Sequence, residues 1–230
     1  MIKITNTEVF GWEAAIRGMR NPMNSWDKSD SIFPKDNHPI IEFGIGENDL
    51  KLMKTLAKAG SDHGKFLRMI NVTVDLNAPL YWWKEFDTYK VGNVANSCST
   101  MHKIHAKEFT LDDFSTEHLL DCESVGKEQF MTNDPMWCGY RATPFDMLNF
   151  TIKMLNFWRE QYLKDKSKIS WWQMIQLLPS SYNQLRTVQL NYQVLKTMYN
   201  ARKNHKLDEW HTFCEWCETL PYFKEVCLNE

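Results

Sequence analysis

From Ile70 the apolar residues Ile70, Val72, Val74 and Leu76 alternate with Asn71, Thr73, Asp75 and Asn77, a period of two that predicts a half-buried antiparallel strand. Pro79 then stands where a helix places its first residue, and LYWWKEF continues as a short aromatic helix. Upstream, MIKIT reads as a strand, Thr7 to Met19 as a helix ended by Asn21-Pro22, and Leu50 to Lys58 as a second helix. Leu50, Met53, Leu56 and Ala57 share one face of that second helix; Asn48 or Asp49 can cap it, Gly60 closes it, and His63 reads as a later helix start. Past Gly92 the polar stretch NVANSCSTMHKI is ambiguous between strand and loop.

Farther on, Thr110 with Asp113 and Thr143 with Pro144 and Asp146 both carry helix-start signals. The second opens a long helix to about Lys164, with Phe145, Leu148, Ile152, Leu155 and Trp158 at helical spacing. Lys164 to Lys168 is a solvated charge run, and Trp171 to Leu178 a short helix stopped by Pro179. Residues 184 to 190 suit a strand, after which Asn191 can cap a helix Tyr192 to Arg202; Leu207 to Leu220 forms the last helix before Pro221. No repeat or low-complexity segment interrupts this order, so the 230 residues read as one domain.

Composition narrows the picture. A hydrophobic share of 43% supplies a core, and 27 Lys+Arg against 29 Asp+Glu leave no field that gathers nucleic acid or an anionic membrane by bulk charge. Any anion must therefore be held locally. No stretch approaches the ~20 apolar residues of a membrane span, and MIKITNTEVFGW lacks the apolar block of a signal peptide, so a soluble cytoplasmic protein is expected, with no membrane or nucleic-acid partner. The six cysteines, at 98, 122, 138, 214, 217 and 227, follow no disulfide framework and read as reduced thiols. No glycine follows Gly139, which predicts a largely helical second half. Ten Trp and thirteen Phe imply broad aromatic packing or an aromatic-lined cavity.

Candidate chemistry is sparse. Cys214-x-x-Cys217 has zinc-like spacing near His205 and His211, yet a structural zinc site needs a second pair; the two thiols read instead as small buried helix residues, and no metal is expected. Cys98 with His102 and His105 would need a partner geometry that sequence proximity does not supply. Gly44-Ile45-Gly46 is too short for a dinucleotide fingerprint, and no phosphate loop is present. Tyr81, Trp82, Trp83 and Phe86 crowd one and a half turns, which predicts that some of these rings face a pocket or a partner subunit.

Two segments read together resemble the flavin-dependent thymidylate synthases, also called thymidylate synthase complementing proteins. VTVDLNAPLYWWKEF reproduces a strand, Pro step and aromatic helix of that family. Thr88-Tyr89-Lys90 stands where Arg-His-Arg is expected, and Asn96-Ser97-Cys98-Ser99-Thr100-Met101-His102 where Asn-Glu-x-Ser-x-Arg-Tyr is expected. In LLPSSYNQLRTVQLNYQVLKTMYNAR, Pro179, Asn191, Leu195 and Arg202 fall in the family's register.

The resemblance implies an α/β (α+β) fold with a mixed or antiparallel central sheet flanked by helices and helical subdomains, assembled as a homotetramer with FAD and nucleotide sites at subunit interfaces. It further implies transfer of a carbon from methylenetetrahydrofolate to dUMP, with NADPH recharging the flavin. Carried over by position, Ser99 and Arg202 are the catalytic candidates. Lys90, Asn96, Asn191 and Gln193 are the cofactor-binding candidates, and Glu85, Ser99, His102 and Arg202 the substrate-binding ones.

A nucleotide phosphate needs charge-assisted donors, yet of the family's arginines only Arg202 is kept. Thr88, Met101 and Ile175 replace the others, and Gln193 replaces one on the flavin side; Lys84, Lys90 and Arg186 are candidate substitutes. Losing one charged hydrogen bond costs about 1.5–3 kcal/mol, so losing three lowers affinity by several factors of ten without replacements. The sequence thus reads as a divergent family member that binds flavin or a pyrimidine nucleotide, with dTMP formation changed or lost. The alternatives are an active synthase with relocated cations, a C5 transfer on another pyrimidine nucleotide, and a non-catalytic oligomeric scaffold.

Overall fold

The computed structural model describes residues 1–33, 43–121, 130–131 and 141–228. Cys122, Cys138 and the turn-rich stretch before Thr143 lie outside the described residues or at their edge. A four-stranded antiparallel sheet has the order β1-β2-β6-β3, formed by Lys3–Phe10, Asn71–Pro79, Asn183–Asn191 and Val94–Ser97 respectively. A small antiparallel pair, β4 (Phe130–Met131) and β5 (Arg141–Ala142), stands apart from it. The helices are α1 (Trp12–Arg20), α2 (Glu47–Lys58), α3 (Leu80–Phe86), α4 (Pro144–Asp165), α5 (Lys168–Leu177), α6 (Tyr192–Arg202) and α7 (Asp208–Thr219).

The chain divides into two compact units. One comprises Met1, 77–87 and 97–185; the other comprises 2–76, 88–96 and 186–230. In the first, α4 and α5 pack together over a core of Ile104, Phe109, Phe114, Leu148, Ile152, Leu155 and Met174. In the second, Trp12, Phe43, Tyr192, Tyr222 and Phe223 form a chain of mostly edge-to-face ring contacts.

Strand β2 follows its alternation: Val72, Val74 and Leu76 are fully buried. On the opposite face the Asp75 carboxylate accepts from Thr187 Oγ1 of β6 at 2.6 Å and from Asn6 Nδ2 of β1 at 2.8 Å. Thr143 and Asp146 form a capping box at the start of α4, with Pro144 in its first turn, and Asn191 Oδ1 accepts from Val194 N to cap α6.

Several expectations are corrected. The segment 7–10 continues β1, and the first helix begins at Trp12, because Gly11 turns the chain at φ +95° under the Met69 carbonyl. A Cβ there would come within 2.1 Å of that oxygen, so only glycine makes the turn. Helix α2 starts at Glu47, and Asp49 caps nothing: it is buried and bonded to Arg20 Nε at 2.6 Å. The remote Asp30 carboxylate instead accepts from Asn48 N and Asp49 N.

The capping box at Thr110 and Asp113 opens only a 3-10 turn, Leu111–Asp113. Of the four crowded rings of α3, Tyr81 is half-buried, its hydroxyl 3.0 Å from Ser115 Oγ, and the other three are buried. Trp82, Trp83 and Phe86 are at most 1% exposed, in mostly edge-to-face contact with one another at 5.0–5.2 Å, and Trp83 Nε1 donates to Gln184 O at 2.9 Å. Beyond Pro221 the chain forms a further π-type turn, Lys224–Leu228, that no sequence signal announced. Among the described residues no helix is long and apolar enough to cross a membrane.

Candidate functional site

Three elements of the second unit converge on a cavity of about 550 Å³ lined by Arg68, Tyr89, Lys90, Val91, Gly92, Asn191, Gln193, Val194 and Thr197. Arg68 ends the 3-10 turn Gly64–Arg68, which packs on α6. Tyr89 to Gly92 form the loop after α3, and Asn191 to Thr197 are the cap and first turns of α6. Gly92 has φ +77°, and a Cβ on it would stand 2.9 Å from Val194 Cγ2 and 3.0 Å from Asn191 Nδ2. The loop therefore approaches the helix start as closely as a backbone allows.

This arrangement suits an anion. Two cations, Arg68 and Lys90, stand beside the N-terminal end of α6, where the helix dipole is positive. Asn191 spends its oxygen on the cap and turns Nδ2 toward Gly92 O, 3.5 Å away. Arg202 stands behind the wall: its Nε donates to the Tyr89 hydroxyl at 2.9 Å, and its guanidinium lies 5.5 Å from the Tyr89 ring centre and 4.8 Å from that of the buried Trp210.

The cavity thus gathers Lys90, Asn191 and Gln193, with Arg202 bracing its Tyr89 wall. The other candidates belong elsewhere. Ser99 lines a cavity of about 330 Å³ in the first unit, with Cys98, Lys103, Lys107, Asp113, Tyr182 and Asn183 among its walls. Its hydroxyl accepts from His102 N at 3.0 Å. In that cavity burial raises the Tyr182 phenol above its ordinary range, with Asp113 and Cys98 adding to the shift, and Asn183 Oδ1 is buried without a hydrogen-bond partner among the described residues. His102 lines a third cavity of about 350 Å³ with Met101, Tyr162, Lys166, Lys168 and Trp171. Nearby, burial and the charges of Lys166, Lys103 and Arg159 depress the His105 imidazole.

Asn96 is exposed on β3 and Glu85 half-buried on α3; neither lines any of these three cavities. Of the candidate substitute cations, Lys90 reaches the 550 Å³ cavity while Lys84 and Arg186 do not line it. Arg68 does, and the sequence reading missed it. Cys214 and Cys217 are buried in α7, where burial pushes the Cys214 thiol up to about 11 and Cys217 well above its ordinary value. Among the described residues no group of three or more His, Cys, Asp or Glu side chains is placed to hold a metal ion.

No family profile and no curated protein matches this sequence. Solved structures do. Thymidylate synthase X from Helicobacter pylori, with FAD and dUMP, is similar over the whole of both chains at 13% identity and a TM-score of 0.64. A second structure of the flavin-dependent enzyme from that organism, complexed with FAD and dUMP, matches at 13% identity over 98% of this chain and 97% of the other, with a TM-score of 0.63. A UMP/dUMP methylase from Streptomyces cacaoi bound with 5-Br dUMP matches at 14% identity over all of this chain and 94% of its own, with a TM-score of 0.59. A chain path shared from end to end at such low identity, with β2, α3, β6 and α6 where the sequence resemblance put them, is the fold of the flavin-dependent thymidylate synthases.

Proposed function

We propose that this chain is a divergent relative of the flavin-dependent thymidylate synthases that binds FAD and a pyrimidine nucleotide, with the conversion of dUMP to dTMP changed or lost. The observation that carries this reading is the cavity of about 550 Å³ in which Arg68 and Lys90 flank the N-terminus of α6. Its donor set fits the diphosphate of a dinucleotide cofactor: two cations, a positive helix end, and the close backbone approach at Gly92. The FAD and dUMP bound by the Helicobacter pylori enzyme support the same ligand classes here.

In this reading Arg68 and Lys90 neutralise the phosphates, Gln193 hydrogen-bonds at the helix start, and Asn191 holds the first turn of α6 in place. Tyr89, fixed by Arg202, closes one wall. A flavin held there would supply hydride transfer. Ser99 and His102 serve the nucleotide, and Asn96 and Glu85 complete sites shared with neighbouring copies of a cytoplasmic homotetramer. Where carbon transfer survives, methylenetetrahydrofolate and NADPH are its co-substrates. Transfer to C5 of a nucleotide other than dUMP is the second reading, supported by the methylase of Streptomyces cacaoi.

Titration of purified protein with FAD, followed by flavin fluorescence, and with dUMP, followed by thermal shift, tests the proposal. Saturable binding of either ligand is expected. A colourless protein that binds neither would overturn it.

A further inference from the structure

Cys98 is a nucleophile without an assigned role. It lines the cavity of about 330 Å³ in the first unit, a volume within the roughly 300–1,000 Å³ of small-molecule pockets. Its backbone is fixed on both sides: its N–H donates to Leu185 O at 2.9 Å, and its carbonyl accepts from Nε2 of the buried Gln184 at 2.8 Å. The thiol itself is free and exposed. His102, a near neighbour in sequence, lines a different cavity.

The groups around the thiol point to a ligand. Tyr182 shares the cavity, and burial keeps its phenol protonated at neutral pH. The carboxamides of Asn77 and Asn183 also line it, and Asn183 Oδ1 is buried without a hydrogen-bond partner among the described residues. A buried acceptor left unpaired costs about 1–3 kcal/mol, which a ligand N–H would relieve. Ile104 and Phe109 supply apolar wall. Lys107 is paired with Asp113, and Lys103 offsets Asp112, so the lining charges balance. The cavity therefore suits a neutral polar ring, with any phosphate left outside.

A uracil ring is the complement of this set. Its imide carries an N–H donor between two carbonyl acceptors, which a carboxamide can pair, and its C6 is electrophilic toward sulfur. We infer that Cys98 is a nucleophile for C6 of a pyrimidine ring seated in this cavity, an inference that rests on the pyrimidine nucleotide of the proposed function. In the addition the thiol gives its proton to water and an Sγ–C6 bond forms. The C5–C6 π bond breaks, and its electron pair moves through C4 to O4 as an enolate. Tyr182 then delivers its phenolic proton to C5 and recovers one from water. Loss of the original C5 proton to water expels the thiolate, which takes a proton back, and the ring is restored. One C5 hydrogen has been exchanged with solvent, and nothing is oxidised or reduced. Before it collapses, the adduct holds a nucleophilic C5, which is what attachment of a carbon there requires.

The exchange is read without flavin, reductant or folate, as loss of the C5–H proton signal of dUMP or UMP in deuterium oxide free of small thiols. The unaltered chain is expected to exchange at least one of the two. Cys98→Ser should slow that exchange at least about a hundredfold while the thermal shift with the nucleotide is kept. Tyr182→Phe should slow it about tenfold with affinity held, and Asn183→Ala should weaken nucleotide binding about tenfold. Nucleotide bound without exchange, or exchange undiminished in Cys98→Ser, would overturn the inference and leave the nucleotide reading standing. Binding of neither dUMP nor UMP would overturn it together with the nucleotide half of the proposed function.

Discussion

Arg202 and Tyr89, 113 residues apart, are joined by a 2.9 Å hydrogen bond from guanidinium to phenol, and Trp210 stacks 4.8 Å from the same guanidinium. Replacing Arg202 with Ala removes a charged hydrogen bond and two ring contacts, and is expected to lower stability by about 2 kcal/mol. Lysine should not rescue it, because an ammonium lacks the planar surface that stacks on the rings. Thermal melting of the Ala and Lys variants, alongside FAD affinity, checks this; a Lys variant with full stability and affinity would refute the bracing role.

Arg68 and Lys90 are exposed at the cavity rim, so each charge acts through solvent-screened attraction. Arg68→Gln and Lys90→Gln are each expected to weaken FAD binding by about three- to tenfold, more at low salt than at high. Titrations at two ionic strengths measure both effects. Equal affinity at either salt would show that the anion sits elsewhere.

At Gly92 the test is steric. Alanine there must adopt a positive φ and push against Val194 and Asn191, so a loss of about 1–2 kcal/mol and a weakened cap on α6 are expected. Asn191→Ala removes the cap and the long Nδ2 contact to Gly92 O without straining the loop backbone, and should cost about 1 kcal/mol. Comparing the flavin affinities of the two variants separates loop displacement from helix fraying.

Asp49 gives the protein an acid limit. Burial raises its pKa, but hydrogen bonds from Ser31, Ser29 and Arg20, with the charge of Arg20, outweigh that and hold the carboxyl below its ordinary value. A carboxyl depressed in the folded state stabilises the fold above its unfolded pKa, near 4, and loses that contribution as pH falls through the folded value. Denaturation midpoints of the unaltered protein should therefore fall as pH drops below about 4, and less steeply in Asp49→Asn. At neutral pH Asp49→Ala, which strands the buried Arg20, should cost about 3–5 kcal/mol.

What the sequence made legible was local. The period of two in β2, the Thr143 capping box and the Asn191 cap are each settled by residues within a few positions of one another, and each formed as read, while Pro79 ends β2 as the extended cap of α3 instead of standing as the helix's first residue. The helical second half foreseen from its lack of glycine is also present, in α4 to α7. What escaped depends on distant pairing. Residues 7–10 carry a weak pattern and become strand because β2 lies beside them. Asp49 looked like a cap because its true partner, Arg20, is 29 residues away.

Arg68 carried no local mark at all. Its role at the cavity follows from a 3-10 turn docking on a helix that begins more than a hundred residues later. The burial of three of the four α3 rings escaped for a different reason: aromatic side chains satisfy one another edge to face, so crowding need not mean exposure.

The Asp75 carboxylate, held from both sides by Thr187 and Asn6, gives three neighbouring strands a common alignment mark. Sliding either strand beside β2 by a single residue would take its hydroxyl or amide out of reach, while sliding β2 would thrust the acid among Val72, Val74 and Leu76. Because β6 runs directly into Asn191, an error in strand alignment would also rotate the capping residue away from Gly92, so one solvent-facing acid guards the geometry of the cavity mouth.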